Sequence, residues 1–206
     1  PASGLSFRLA TFLSDIEQFN YFGYGNDSLR PPAEGPSYRA EQTVAFASPT
    51  LRYELGRRFD TYLGPEVRYS ETAYDDDTTI GIGEAYGTGT FGQLAVRGGL
   101  HFDSRARPDT SASLNIAEGL TDARGDAQAS GINIRAAGFF VPEAWDATSS
   151  YGGVDGVVAA YLGSPRAHVA VRVGGRHLWG DYPWFEAAPI GGLNNRGFVS
   201  RRFIGD

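Results

Sequence analysis

The side chains that most often carry out chemistry in proteins do not occur here at recognisable spacings. The three histidines, His101, His168 and His177, lack the spacing of zinc ligands. The consecutive acids Asp75–Asp77 lack the alternation of an EF-hand loop and are more typical of a solvated loop. The sequence has no nucleophile elbow. It also has no lysine that could bind phosphate, since all 18 basic residues are Arg. We therefore expect no enzymatic activity, no metal site and no cofactor.

The composition indicates a folded domain and argues against several classes of protein. The chain has 206 residues, of which 41% are hydrophobic, and its net charge is −6. It has no basic stripe for nucleic acid and no run of about 18 apolar residues for a transmembrane helix. The absence of Cys excludes disulfides and thiolate metal sites. Met is absent too, so we expect that a signal peptide or an N-terminal domain originally preceded Pro1.

The elements that must position any site follow a hydrophobic period of two residues, which is the period of β-strands. In segment 93–103 the apolar residues fall on one face, namely Leu94, Val96, Leu100 and Phe102. The other face carries polar residues, namely Gln93, Arg97, His101 and Asp103. The apolar face would meet the core in a soluble β-sandwich, but it would meet lipid in a membrane β-barrel. Periodicity alone leaves both architectures open.

Seven strands are predicted, each about long enough to cross a bilayer when tilted. They are Leu5–Leu13, Thr43–Leu55, Asp60–Tyr69, Phe91–Asp103, Gly131–Phe140, Val154–Leu162 and Arg166–His177. Short connections at Gly56–Phe59 and Gly163–Pro165 alternate with long connections. The long connections are Ser14–Glu41, Ser70–Thr90 and Val141–Gly153. This alternation is typical of outer-membrane barrels, which have brief periplasmic turns and longer external loops.

The stretch Ser104–Ser130 falls on the side of the short connections, although it is long. We predict that it is a periplasmic excursion, because an additional strand would break the up-and-down parity of the sheet. A transmembrane strand at Ala112–Ala117 is the alternative, and it would change the topology by one element.

Aromatic residues cluster near the ends of predicted strands and in the long connections. Examples are Phe19, Tyr21, Phe22, Tyr24, Trp179, Tyr182, Trp184 and Phe185. Aromatic girdles at the two membrane interfaces predict such clusters. A packed loop cluster in a soluble protein would produce the same pattern, so the alternative stays open.

Two segments carry short motifs of interest. The first, Phe19–Asp27, reads Phe-Asn-Tyr-Phe-Gly-Tyr-Gly-Asn-Asp and is rich in aromatic residues and glycine. The second is an Asp-x-Arg turn after a predicted strand, at Asp103–Arg105 or alternatively at Asp122–Arg124, and it is paired with the later Tyr161–Leu162.

The third and most specific segment runs from Gly174 to Asp206. A glycine pair and an Arg-Gly-Phe core make up its centre: Gly191, Gly192, Arg196, Gly197 and Phe198. The stretch Arg-Phe-Ile-Gly-Asp follows at 202–206. With these three segments the chain resembles the bacterial surface antigen family of outer-membrane β-barrels, the superfamily of BamA and TamA.

The resemblance implies an all-β fold, with a single antiparallel up-and-down transmembrane β-barrel domain over 1–206. In the family further strands follow the Arg-bearing loop, so the resemblance implies an incomplete barrel here. It also implies that this loop folds into the lumen, where the guanidinium of Arg196 would be a structural latch. Glu66 is the first inward acid that we would test as its partner.

The function that the resemblance implies is polypeptide insertion or translocation, or the anchoring and export of an attached domain. The localisation would be the bacterial outer membrane, with membrane lipid and polypeptide cargo or assembly partners in contact with the barrel. A passive pore or structural barrel is one alternative. A soluble β-sandwich binding module is another, and in it protein would shield four apolar residues: Leu94, Val96, Val169 and Val171.

Overall fold

A computed structural model describes residues 4–23, 38–83, 85–105, 130–164, 167–190 and 203–205. Seven strands form one antiparallel sheet, in which their order is that of the chain. They are β1 (Leu5–Asn20), β2 (Arg39–Glu54), β3 (Phe59–Ala73), β4 (Gly89–Asp103), β5 (Gly131–Val141), β6 (Tyr151–Ser164) and β7 (Ala167–Trp179). Each predicted strand corresponds to one of these, so the predicted all-β, antiparallel up-and-down arrangement is confirmed.

The sheet is open rather than closed into a barrel. Within the described residues β1 pairs only with β2, and β7 pairs only with β6 in this sheet. The closed barrel of the sequence-based prediction is therefore not seen, and membrane insertion stays a prediction. A separate finding concerns helices: within the described ranges, none is long and apolar enough to span a membrane.

The connections between strands alternate in length as predicted. Residues 55–58 join β2 to β3, and two residues join β6 to β7, whereas 74–88 and 142–150 form long connections. The connection 74–88 contains a short helix, α1 (Thr79–Ile82), which the sequence analysis did not predict. The predicted excursion Ser104–Ser130 and its alternative strand Ala112–Ala117 lie almost entirely at 106–129, outside the described residues.

Burial on the two faces of the sheet is the reverse of that in a soluble protein, because polar side chains are buried on one face and apolar side chains are exposed on the other. On β4, Gln93 and His101 are 1% and 4% exposed, whereas Leu94 and Val96 are 41% and 49% exposed. All seven strands expose apolar side chains on the same face: Leu9, Leu51, Leu63, Leu100, Ile134, Val158 and Val171. We call this face the apolar face, and the opposite face, which carries Gln93 and His101, the polar face. Charged and amide side chains are thus buried on the polar face, beside aromatic and other apolar residues such as Phe91 and Phe139.

The chain after β7 packs on the polar face. Gly180–Ala187, here called the inner segment, ends in a 3-10 helix at Trp184–Glu186. Two further short strands follow, β8 (Ala188–Ile190) and β9 (Phe203–Gly205), and they pair with each other. Gly180 has a φ of 82°, and a Cβ there would press against Tyr151, so glycine permits the turn out of β7.

Aromatic residues close the polar face near the long connections. Phe185 packs against Phe91 with ring centroids 5.7 Å apart, and Trp184 contacts Tyr21 at 5.7 Å. Trp184 is 1% exposed. Of the two interpretations that the sequence left open, the packed cluster therefore describes Trp184. The reason is that the inner segment turns its aromatic side chains toward the sheet.

Candidate functional site

Three arginines on the polar face form a basic wall. Arg68 lies on β3, Arg97 on β4 and Arg176 on β7. The period of two places Arg97 on the same face as Gln93, and the register of β3 against β4 places Arg68 directly opposite Gln93. The three side chains are 19%, 18% and 26% exposed, so they lie in a largely enclosed environment.

Glu186 of the inner segment lies at the centre of this wall. Its carboxylate accepts hydrogen bonds from Gln93 Nε2 at 3.1 Å, Arg97 Nη2 at 3.3 Å and Arg176 Nη2 at 2.9 Å. Arg68 Nη1 lies 3.9 Å away. Glu186 is only 3% exposed, and a buried carboxylate is tolerated only when cations and donors surround it. This cluster, which we call the carboxylate latch, binds the inner segment to β3, β4 and β7.

The charge state of the latch follows from its surroundings. Burial by itself would raise the pKa of Glu186, but attraction to Arg97, Arg68 and Arg176 lowers this pKa to about 2. The hydrogen bond from Gln93 acts in the same direction. Glu186 is therefore ionised at neutral pH, and the latch is a cluster of opposite charges.

Neighbouring groups hold the latch donors in place. The amide oxygen of Gln93 accepts a hydrogen bond from the hydroxyl of Tyr151. The guanidinium of Arg68 stacks on the ring of Phe185 at 4.4 Å, and that of Arg97 lies 4.6 Å from the ring of Phe139. Stacking on an aromatic face leaves the edge of the guanidinium free to donate, so these contacts orient the donors toward the carboxylate.

The backbone of the inner segment brings Glu186 to this position. Pro183 has a φ of −69° and precedes the 3-10 helix, whose first turn suits the restricted φ of proline. The N–H of Trp184 donates to the carbonyl of Tyr86 in the connection 74–88, at 3.0 Å. Glu186 is thus held in place by the connection 74–88 as well as by the wall.

The residues predicted from the sequence are only partly described. Glu66 lies on the polar face and is 5% exposed, and its Oε2 forms an ion pair with Arg97 Nε at 2.8 Å. The predicted loop motif lies outside the described residues: Gly191, Gly192, Arg196, Gly197 and Phe198. A contact between Arg196 and Glu66 therefore stays a prediction.

Sequence reasoning missed Glu186. In the predicted latch the loop supplies an arginine, Arg196, and the wall supplies an acid. In the carboxylate latch the charges are exchanged, because the inner segment supplies the acid and the wall supplies the arginines. A signal was present in the sequence, since Glu186 is a single acid among Trp184, Phe185, Ala187 and Ala188. A lone acid in an apolar stretch must find cationic partners if that stretch is buried.

A second polar cluster lies at the end of the sheet with the short connections. Asp103 accepts two hydrogen bonds from the guanidinium of Arg105, at 3.0 and 2.7 Å, and a third from Asn133 at 3.0 Å. The guanidinium of Arg105 lies 4.1 Å from the ring centre of Tyr161. The Asp-x-Arg turn at 103–105 is thus in contact with Tyr161, whereas the alternative at 122–124 lies outside the described residues.

The same cluster contains a histidine in a structural role. His101 Nδ1 lies 3.1 Å from Asp60 Oδ2, and His101 Nε2 lies 2.9 Å from Asn133 Nδ2. A neutral ring that donates to Asp60 and accepts from Asn133 satisfies both contacts. Within the described ranges, no group of three or more His, Cys, Asp or Glu is arranged to hold a metal ion.

The chain was compared with known proteins. No family model matches it, and neither a curated protein nor a solved structure is significantly similar to it. Its residues and geometry therefore carry the functional argument.

Proposed function

We propose that the chain forms part of the wall of a bacterial outer-membrane β-barrel that inserts or translocates polypeptides, or anchors an exported domain. The observation that carries the proposal is the inverted burial of the sheet. A barrel wall in a bilayer turns apolar side chains to lipid and polar side chains to the lumen. Exposed Leu, Val and Ile on all seven strands would each gain free energy from contact with lipid, at roughly 25 cal/mol per Å².

The exposure of individual residues argues against a soluble sandwich. That alternative requires protein to shield Leu94, Val96, Val169 and Val171. They are 41%, 49%, 62% and 59% exposed, and no second layer of the described chain covers them. A soluble protein rarely leaves an apolar surface of this extent in water.

The dimensions of the strands support the same proposal. The shortest of the seven strands, β5, has 11 residues, and the longest have 16. A tilted strand needs about 9 to 11 residues to cross the hydrocarbon core. Every strand is therefore long enough to span a bilayer.

Single-cysteine labelling tests the location of the apolar face. The chain has no Cys, so Val96→Cys and Val171→Cys can be compared with Asp76→Cys in a long connection. We expect a membrane-impermeant maleimide to label the full-length protein in membranes at Asp76→Cys but not at the two apolar-face positions. Equal labelling at all three positions would overturn the membrane proposal.

The polypeptide-handling part rests on the resemblance and on the docked inner segment. Arg196→Ala and Glu186→Gln should each reduce surface display of the attached domain, or insertion of a client barrel, in cells. The amount of the folded barrel is measured in parallel, because a fall in its level would mimic lost function. Unchanged display with both variants would favour a passive or purely structural barrel.

A further inference from the structure

The indole of Trp145 lies over β4 on the apolar face of the sheet, and the backbone of this residue is strained. Trp145 lies in the connection 142–150 and has a φ of 60°, which is sterically unfavourable for a bulky side chain. It is nevertheless 56% exposed, so burial of the indole in a core does not account for the strain. Strain of this kind persists where the surroundings enforce it, and it is concentrated at functional sites.

The surroundings of Trp145 enforce its position on β4. The N–H of Gly92 donates to Asp146 Oδ2 at 2.7 Å, and the N–H of Asp146 donates to the carbonyl of Gly92 at 3.1 Å. A Cβ at residue 92 would collide with the indole, so glycine is required for this approach. The ring of Tyr69, on the neighbouring strand, lies 6.5 Å from that of Trp145.

The indole continues the row of apolar side chains on β4. Gly92 shares a face with Leu94 and Val96, because side chains alternate along a strand. At about 3.4 Å per residue, Gly92 lies roughly 7 Å beyond Leu94, toward the long connections. Trp145 therefore occupies the rim of the apolar face, where a lipid-facing band would give way to the loops.

We propose that Trp145 anchors this rim of the sheet at the boundary between the headgroups and the acyl chains of the membrane. The proposal rests on the proposed membrane function and specifies the partner of one surface. Tryptophan prefers this boundary, since its ring packs against acyl chains while its N–H donates to the headgroup region. The clamp between Asp146 and Gly92 fixes the depth at which the ring is presented.

Tryptophan fluorescence provides the test, because the three tryptophans of the chain have different surroundings. Variants of the full-length protein retain Trp145 alone or Trp184 alone, with every other Trp replaced by Phe. A third variant carries Val96→Trp as its single Trp, in the middle of the apolar face. Each is reconstituted into phosphatidylcholine vesicles brominated either near the headgroup or near the end of the acyl chains.

We expect bromine near the headgroup to quench Trp145 at least about twofold more strongly than bromine near the chain end. The opposite order is expected at Val96→Trp, and neither lipid should quench Trp184, which is 1% exposed.

If Val96→Trp is quenched but Trp145 responds like Trp184, the anchor is refuted and the membrane proposal stands. Stronger quenching of Trp145 by the deep label would also refute the anchor. If Val96→Trp is not quenched by either lipid, the membrane proposal itself fails.

Discussion

Glu186 illustrates how one residue can decide where a whole segment lies. Its carboxylate is buried among Arg68, Arg97 and Arg176, and each of these arginines comes from a different strand. An ionised group in this position is stable only while its partners are present, and the reverse holds for the arginines. Removing the charge therefore affects the contact between the inner segment and three strands at once.

Glu186→Gln tests this contact. The substitution keeps the size of the side chain but removes the counter-charge that Arg68, Arg97 and Arg176 share, although Arg97 keeps its ion pair with Glu66. We therefore expect destabilisation of about 3 kcal/mol. Urea unfolding of the full-length protein measures the loss, and limited proteolysis reports release of the inner segment. Glu143→Gln is the matched control, because Glu143 is exposed and its substitution should change stability by less than about 0.5 kcal/mol. Equal effects of the two substitutions would contradict the latch.

The latch should also depend on pH in a defined direction. The pKa of Glu186 is lowered from the ordinary 4.5 to about 2 in the folded protein. Its contribution to stability is therefore complete above about pH 4.5 and is lost as the pH falls toward 2. The difference in unfolding free energy between the natural protein and Glu186→Gln should be constant near neutral pH and should shrink below pH 4.5. A difference that persists unchanged down to pH 2 would rule out this charge state.

Elements of the sheet are tied together at the end with the short connections. Arg105 is 3% exposed and joins Asp103, at the end of β4, to the ring of Tyr161 on β6. A planar guanidinium can donate two parallel hydrogen bonds and stack on a ring, whereas an ammonium group can do neither. The strand ends depend on this geometry as well as on charge.

Arg105→Lys should therefore be disruptive although it conserves the charge. We expect a loss of roughly 2 kcal/mol, because the bond pair to Asp103 and the stacking on Tyr161 disappear. Hydrogen exchange at the end of β4 should accelerate, and a readout is the amide of Ser104, which donates to the carbonyl of Ile132. Arg57→Lys is the control, since Arg57 is exposed, and it should leave this exchange unchanged. Unchanged exchange in Arg105→Lys would indicate that charge alone suffices.

At the scale of the molecule, the described sheet exposes apolar side chains on one face and buries charged side chains on the other. This arrangement predicts that one substitution has different effects in lipid and in water. In a bilayer, Val96→Arg would place a cation in lipid, at a cost of about 2 to 4 kcal/mol near the midplane. In water the same substitution would be nearly neutral, because Val96 is already 49% exposed. We expect Val96→Arg to lower the fraction that folds into lipid vesicles, whereas Val96→Leu should fold normally. Equal folding of both variants would indicate that Val96 does not face lipid.

Part of this architecture could be predicted from residue patterns alone. The alternation of Leu94 and Val96 with Gln93 and Arg97 predicted a strand and grouped the side chains into two faces. This works because a strand repeats every two residues whatever surrounds it. By the same rule Glu66, which was expected to point inward, lies on the polar face and is 5% exposed, whereas its role as a partner of Arg196 stays a prediction.

The direction of those faces was not contained in the pattern, since alternation is the same whether the apolar side points to a core or to lipid. Only the tertiary structure revealed which side is covered. The partners of Glu186 could not be predicted either, because they precede it by 10 to more than 100 residues in the chain. Pairing between the strands brings these partners together. The sequence by itself therefore determined the strands and the grouping of their side chains into two faces, whereas the family resemblance stays a prediction. The tertiary structure decided the inversion of burial, the carboxylate latch and the position of Trp145, because each depends on contacts between segments that are distant in the chain.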